Sequence, residues 1–126
     1  MTKLQSLLSN LKKANNRLKE AAKAQPTRMN KDATIKRFEF TFELSWKTIQ
    51  EYLRDQGIDS RSPKNSIREG AKIQIIDSPE NWFVFLEHRN LASHTYNETI
   101  ADRVYEKAVI FPVEIDSLLE KIKHNI

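Results

Sequence analysis

Hydrophobic residues recur along most of this chain at intervals of three, four and seven, the spacing that places side chains on one face of an α-helix. Three long segments show this pattern, and they predict helices at about 2–24, 30–56 and 98–123. The positions predicted to face the core are Leu4, Leu8, Leu11, Leu18, Ile35, Phe38, Phe42, Ile49, Leu53, Val104, Ala108, Phe111, Ile115 and Leu118.

Two further helices are predicted from a repeated local signal. Ser62-Pro63 and Ser78-Pro79 each place a serine where it can cap a helix and a proline at the first helical position. The first dipeptide predicts a short helix at about 63–71 that ends near Gly70, and the second predicts a helix that starts at Pro79 and continues into Arg89–His94. The complete pattern predicts an all-α fold, an up-and-down antiparallel four-helix bundle with one short extra helix.

The remaining helix boundaries are predicted from capping residues. Asn30 or Asp32 would cap the second long helix, and Gly57 would follow its C-terminus. The sequence Thr95–Glu98 matches a capping box, which predicts Thr95 as the N-cap of the last helix.

The second long helix carries more apolar surface than one neighbour can cover. Phe40, Leu44 and Trp46 lie off its main hydrophobic stripe and form a second apolar face. Either this helix is central in the bundle, or one of its faces is buried in a partner. The two stripes together favour an oligomer interface, and we expect a dimer.

The composition agrees with a helical protein and excludes several kinds of site. Only two glycines and four prolines occur in 126 residues, a length that suits a single domain, 1–126. The absence of cysteine excludes disulfides, thiolate zinc sites and thiol nucleophiles. There is neither a signal-peptide core nor an apolar run near the roughly 20 residues that span a bilayer, so we predict a cytoplasmic protein without membrane contact.

The net charge of +4 mildly favours an anionic partner, which could be RNA, a nucleotide or an acidic protein surface. Several basic residues of the first helix, including Lys13 and Arg17, lie largely off its hydrophobic stripe. We interpret them as a solvated basic face rather than as a nucleic-acid site.

The densest group of reactive side chains is the octet Arg89–Tyr96. An imidazole can take a proton from an RNA 2′-hydroxyl, and a fixed guanidinium can stabilise the charge on a pentavalent phosphate. Arg89 and His94 would therefore suffice for metal-independent RNA cleavage, and they are the candidate catalytic residues. The predicted substrate-binding residues beside them are Asn90, Ser93 and Tyr96.

No metal site and no cofactor site is predicted. The chain has three histidines and no cysteine, and it lacks a glycine-rich phosphate loop, a nucleophile elbow and a His-Glu-x-x-His helix. Neither Gly57 nor Gly70 is followed by the serine of a nucleotidyltransferase active site. Any nucleotide transfer would therefore be performed by another chain.

Helix geometry limits how the predicted catalytic pair can work. Five steps of 100° leave Arg89 and His94 about 140° apart on an ideal helix, whereas Arg89 and Tyr96 differ by about 20°. Either the helix distorts at its end, or two symmetry-related helices pool their residues across a dimer. On the spacing alone, a surface arginine and a helix-capping histidine are the favoured interpretation.

The octet resembles the Arg-x4-His-x-Tyr motif of the HEPN superfamily. The segment Phe38–Lys47 is similar to the second helix of one branch, the nucleotidyltransferase substrate-binding protein family, and the resemblance extends from the first helix to the last. It implies a helical bundle that dimerises and forms a complex with a minimal nucleotidyltransferase encoded nearby. Relatives with this motif act as ribonuclease toxins that are neutralised when the partner adds AMP to the motif tyrosine.

Carried over by position, the resemblance implies that Arg89 and His94 are the ribonuclease pair, Asn90 the polar residue beside them and Tyr96 the AMP acceptor. We therefore predict a helical substrate-binding subunit that pairs with a minimal nucleotidyltransferase. It would be a HEPN-type toxin–antitoxin component with metal-independent ribonuclease activity, a homodimer within a heterotetramer, with RNA or a nucleotide as ligand. The alternative is a non-catalytic nucleotide-binding or protein-interaction helical module.

Overall fold

A computed structural model describes residues 1–125 of the chain. Within them the regular structure is entirely helical, which confirms the predicted all-α class. The α-helices are α1 (Lys3–Lys23), α2 (Arg28–Asp55), α3 (Pro63–Lys72), α4 (Pro79–Leu91) and α5 (Glu98–His124), and a 3₁₀ helix (Ala92–His94) follows α4. Ile126, the last residue of the predicted 1–126 domain, lies outside the described residues.

Ion pairs at the helix ends show how α1, α2 and α5 run. Lys3 at the start of α1 pairs with Glu51 near the end of α2, so these two helices are antiparallel. Arg28 and Glu98, the first residues of α2 and α5, pair with each other. Helices α2 and α5 therefore run in the same direction and form the central pair of the bundle.

Helix α4 runs in the opposite direction to α5. Asp77, just before α4, pairs with Lys121 near the end of α5. Further along, Asn81 and Lys107 line the same shallow cleft between the two helices. With α1 and α4 packed against both central helices, the predicted up-and-down antiparallel four-helix bundle is confirmed, with α3 as the short extra helix.

Five aromatic rings form the centre of the core. Phe111 of α5 contacts the others, with ring centroids 4.8 Å from Phe85 and 5.2 Å from Phe38. Trp82 lies edge-on to Phe111 at 5.4 Å, and Phe42 packs beside both. All five are buried, so α4 is fixed against α2 and α5 by its two largest side chains.

The second apolar face of α2 is explained by its central position. Helix α2 packs against α1, α3, α4 and α5. Leu44 and Trp46 are half-buried against the core, whereas Phe40 remains 51% exposed. The interpretation of α2 as the central helix is confirmed, and the expected dimer stays a prediction.

The predicted N-cap of α2 is wrong. Thr27 caps the helix by accepting a hydrogen bond from the amide of Asn30 at 3.1 Å, so Asn30 and Asp32 both lie inside the helix. The side chain of Asn30 donates to the carbonyl of Gln25. At the other end Gly57 has a φ of +81°, as expected for a residue that follows a helix C-terminus.

The two serine–proline starts are confirmed, since Ser62 and Ser78 each cap their helix. The predicted end of α3, at about residue 71 and near Gly70, agrees with the observed end at Lys72 to about one residue. The helix continues to Lys72, and the left-handed residue that follows is Gln74, with a φ of +67°. Gly70 is buried instead, where an added Cβ would lie 3.0 Å from Ile76 Cδ1. It is therefore a close-packing position rather than a helix stop.

A buried polar contact joins α1 to α5. Asn15 is 1% exposed, and its Nδ2 donates to Asp116 Oδ1 at 3.1 Å. Lys19 donates to the same carboxylate oxygen at 2.9 Å. The Oδ1 of Asn15 is buried and has no hydrogen-bond partner within residues 1–125.

Candidate functional site

The core anchors the helix that carries Arg89. Trp82, Phe85 and His88 are the buried residues of α4, and His88 Nδ1 donates to the carbonyl of Val84 at 2.7 Å. Arg89 follows directly, on the last turn, and is half-buried at the edge of this packed face. The backbone of the first predicted catalytic residue is therefore rigidly placed.

The Arg89 guanidinium is held by a carboxylate on the neighbouring helix. Its Nη2 donates to Glu43 Oε2 at 2.7 Å, and the two side chains are 38% and 35% exposed. Glu43 is itself oriented, because its Oε1 accepts from Trp46 Nε1 at 3.2 Å. On the other side, Arg89 Nη1 donates to Asn90 Oδ1 at 3.4 Å. A guanidinium fixed between α4 and α2 is preorganised to meet an anion.

Glu43 was not among the residues predicted for the site. It lies within the segment Phe38–Lys47 that carries the family resemblance, flanked by the core residue Phe42 and the half-buried Leu44. A carboxylate inside an apolar stretch requires a partner, and that requirement was the available signal. The sequence could not show that the partner is Arg89, 46 residues further along the chain.

His94 and Tyr96 contact each other at the end of the 3₁₀ helix. The Nδ1 of His94 lies 3.3 Å from the Tyr96 hydroxyl, and the rings are edge-on with centroids 5.9 Å apart. Both side chains are exposed, and Tyr96 is 84% exposed. The Nε2 of His94 hydrogen-bonds to none of the described residues. The imidazole therefore touches the phenol through one nitrogen and presents the other to solvent.

The hydroxyls around the turn stabilise the backbone. Ser93 Oγ donates to the carbonyl of Asn90 at 3.2 Å, and Thr95 Oγ1 donates to the carbonyl of Ala92 at 3.3 Å. The predicted capping box at Thr95 is wrong, because Asn97 caps α5 by accepting from the amide of Ile100. Ser93 thus has a structural partner, and its substrate-binding role stays a prediction.

The two residues of the predicted catalytic pair have separate hydrogen-bond partners within the described residues. Arg89 bonds to Glu43 and Asn90, whereas His94 bonds to Tyr96, and no hydrogen bond joins the pair across residues 1–125. The change from α-helix to 3₁₀ helix does not bring them together. At about 100° per α-helical step and 120° per 3₁₀ step, they remain roughly 160° apart.

The described residues also bear on metal binding and membrane insertion. No group of three or more His, Cys, Asp or Glu side chains among them could hold a metal ion. Over the same part of the chain, every helix is too short or too polar to cross a membrane.

A family model described as "nucleotidyltransferase substrate binding protein like" matches residues 6–124. The chain belongs to this family. The match covers α2, α4 and the octet, and it confirms the resemblance seen in the sequence. In this chain, the side chains that could take part in a reaction are those of the Arg89–Glu43 ion pair and the His94–Tyr96 contact.

Individual relatives agree with this assignment. A Haemophilus influenzae protein named as a probable ribonuclease, HepT, is 31% identical over 96 residues, which cover 72% of this chain and 66% of that protein. The match thus spans just under two thirds of the curated relative.

Two solved structures share the fold. One, from Thermus thermophilus, has a TM-score of 0.85 at 32% identity, covering 90% of this chain and 98% of the other. The second, from Haemophilus influenzae, is described as the fold of a substrate binding domain of a nucleotidyltransferase. It has a TM-score of 0.71 at 25% identity, covering 95% and 96% of the two chains.

Proposed function

We propose that this chain is a HEPN-type partner of a minimal nucleotidyltransferase, and that it cleaves RNA without a metal ion at a site built from Arg89 and His94. The observation that carries the proposal is the His94–Tyr96 contact at 3.3 Å. It joins the group proposed for catalysis to the group proposed for modification. The complex would act as a cytoplasmic toxin–antitoxin pair.

The proposed reaction is attack by an RNA 2′-oxygen on the adjacent phosphorus. The 2′-O–P bond forms as the P–O5′ bond breaks, which leaves a 2′,3′-cyclic phosphate and a 5′-hydroxyl. His94 Nε2 accepts the proton of the 2′-hydroxyl, and the leaving 5′-oxygen takes a proton from a second imidazole or from water. The Arg89 guanidinium stabilises the charge that develops on the phosphate oxygens.

We propose that a homodimer completes the site. Arg89 and His94 of one chain have different hydrogen-bond partners. Two chains related by a two-fold axis could place the arginine of each beside the histidine of the other. The same arrangement would supply the second imidazole that the leaving group requires.

Control by the partner would act through Tyr96. The phenol oxygen attacks the α-phosphorus of ATP, the bond to the β-phosphate bridging oxygen breaks, pyrophosphate leaves and the phenol proton passes to a base. Because Tyr96 is 84% exposed, a partner enzyme can reach it. An AMP group on that oxygen would lie against His94 and place a negative charge where the RNA phosphate must bind.

Cleavage in the presence of EDTA tests the ribonuclease proposal. We expect the purified protein to cleave RNA, and we expect His94→Ala to be slower by about 10²- to 10⁴-fold. The matched control is His124→Ala, which removes another exposed histidine, one that bonds to Glu120 on α5. Equal cleavage by the wild-type and His94→Ala proteins would show that the catalytic assignment is wrong. Loss of RNA cleavage by an Arg89→Ala protein that is still folded would support the catalytic assignment.

A second candidate function is the non-catalytic interaction module. It is favoured by the contacts of Ser93 and Thr95, whose hydroxyls bond to backbone carbonyls and shape the turn. In that case the octet binds a nucleotide or a protein without chemistry. Binding of RNA or AMP that is lost on Arg89→Ala, together with no cleavage under any condition, would favour this candidate.

A further inference from the structure

A groove between α1 and α2 has four basic side chains among the nine residues that line it. We call it the α1–α2 groove, and it has a volume of about 520 Å³. Its floor is apolar, formed in part by Leu44. Its cationic and aromatic lining residues are Lys13, Arg17, Arg37, Phe40 and Lys47.

These cations are available to a ligand. Lys13, Arg17 and Arg37 are exposed, and none of them forms an ion pair with another residue of the range 1–125. Lys47 lies 3.9 Å from Glu43, the carboxylate of the groove, which Arg89 approaches more closely at 2.7 Å. Lys13, Arg17 and Arg37 therefore concentrate positive charge in the groove that no carboxylate of the described residues compensates by an ion pair.

The groove also contains an aromatic surface. Phe40 is 51% exposed, although phenylalanine is usually buried. Lys36 Nζ lies 5.2 Å from its ring centroid, which adds another cation beside the ring. An exposed ring in a groove that also carries cations can bind a base by stacking, while the cations bind the neighbouring phosphates by charge.

The groove leads to the candidate site. Arg37 and Lys47 are ten residues apart on one face of α2, which corresponds to about 15 Å along the helix axis. Glu43 lies between them, and its carboxylate lines the groove while it accepts the hydrogen bond from Arg89. The Glu43 carboxylate thus belongs to both the α1–α2 groove and the candidate site. A bound polymer that follows the groove would therefore reach the Arg89 guanidinium.

We infer that the α1–α2 groove binds a single-stranded RNA segment next to the scissile phosphate. Lys13, Arg17, Arg37 and Lys47 would contact backbone phosphates, and a base would stack on Phe40. This inference rests on the proposed ribonuclease function and extends it with a second binding surface. It also replaces our interpretation of Lys13 and Arg17 as a merely solvated basic face.

Two observations favour RNA over an acidic protein surface as the occupant. The cations stand on both walls of a concave groove, with Lys13 and Arg17 on α1 and Arg37 on α2, so they can grip a narrow polyanion from two sides. The exposed Phe40 ring is matched by a nucleobase, whereas acidic side chains offer it no complementary surface.

The test uses full-length His94→Ala protein, so that binding is measured without cleavage. The probe is a fluorescein-labelled single-stranded RNA oligonucleotide of mixed sequence, followed by fluorescence anisotropy at several salt concentrations. The groove variant adds Lys13→Gln, Arg17→Gln and Arg37→Gln. We expect the slope of log K against log[salt] to become shallower by about 2, because each lost phosphate contact on a single strand contributes about 0.7.

The matched control removes the same three charges elsewhere. Lys12→Gln, Lys64→Gln and Lys123→Gln replace exposed lysines outside the groove and should leave the slope nearly unchanged. Phe40→Ala should weaken binding of the single strand by roughly 5- to 150-fold and leave binding of duplex RNA unchanged, because paired bases cannot stack on the ring.

The outcomes separate this inference from the proposed function. Equal slopes of log K against log[salt] for the groove and control variants would overturn the inference that the groove binds RNA, even if the wild-type protein cleaves RNA. Groove-dependent binding without any cleavage by wild type would support the groove and refute the ribonuclease. If the groove variant binds RNA normally but no longer binds the nucleotidyltransferase partner, the occupant is a protein and the inference is wrong.

Discussion

Replacing Glu43 by glutamine would test whether the carboxylate positions Arg89. The substitution keeps the size of the side chain but removes the charge that accepts the 2.7 Å hydrogen bond from Arg89 Nη2. Both side chains are more than one third exposed, so the pair should contribute about 1 kcal/mol to stability, far less than a buried pair. For a chain of this size we expect the melting temperature to fall by roughly 4 °C.

The effect on RNA cleavage should be larger than the effect on folding. A guanidinium displaced by about 1 Å can lower the rate about 10²-fold, which corresponds to about 2.7 kcal/mol of transition-state stabilisation. A protein that loses about 1 kcal/mol of its usual 5–15 kcal/mol remains almost fully folded at 25 °C. Unfolding therefore cannot account for such a loss, and kcat should fall more than KM rises.

Melting followed by circular dichroism and cleavage in EDTA would measure the two effects side by side. Glu51→Gln is the matched control, because Glu51 is also on α2 and forms ion pairs with Lys3 and Arg54 away from the octet. Glu43→Asp keeps the charge and should retain part of the activity. The reasoning fails if Glu43→Gln and Arg89→Ala reduce the rate additively in a double-mutant cycle, since Glu43 would then not act through Arg89.

Other predictions concern modification and stability. Incubation with the partner nucleotidyltransferase and ATP should raise the mass of the protein by one AMP group. Tyr96→Phe should abolish this mass shift, whereas the control Tyr105→Phe should retain it. Modification of another residue would contradict the proposal. Phe111→Ala should lower the free energy of unfolding, measured with urea, by about 3–5 kcal/mol because it leaves a cavity among the aromatic rings of the core. Ile110 is 50% exposed, so Ile110→Ala should lower the free energy of unfolding much less. Gly57→Ala should lower the free energy of unfolding by about 1 kcal/mol, because φ at this position is +81°. Gly57→Asn should lower it less. Equal melting temperatures for the wild-type and Gly57→Ala proteins would exclude backbone strain at this position.

The helices could be predicted from the sequence because each buries one side of a 3.6-residue pattern. Leu11, Phe38 and Phe111 were expected in the core, and all three are fully buried. The ends of the helices were harder to predict than the helices themselves, because several neighbouring residues can cap a helix equally well. Thr27 and Asn30 are both good N-caps, and the choice depends on where the chain leaves the core, which the local sequence does not specify.

The two glycines of the chain serve different structural purposes. Gly57 does follow the end of α2, but Gly70 lies inside α3, where its missing side chain allows Ile76 to approach. Both uses of glycine look the same in the sequence, since one depends on φ and the other on a contact formed only in the folded chain. The sequence located the end of α3 to about one residue, but it could not show that Gly70 serves packing rather than ending the helix.

The candidate site was predictable as a set of residues but not as an arrangement. The order of Arg89, His94 and Tyr96 along the chain indicated a candidate chemistry, and helix geometry predicted that the first two do not share a face of a regular helix. The bond from Arg89 to Glu43 joins two helices, and the His94–Tyr96 contact depends on a change to 3₁₀ geometry. Neither follows from local spacing.

The buried amide of Asn15 determines how far α1 can slide along its neighbours. The buried leucines of α1, Leu4, Leu11 and Leu18, repeat every seven residues, so a shift by one repeat would present nearly the same apolar surface. The bond from Asn15 to Asp116 can form in only one of these alignments. Its Oδ1 lacks a partner in the described residues, which costs about 1–3 kcal/mol. The bundle thereby gives up some stability, and a single axial position of α1 is favoured over its near-equivalents.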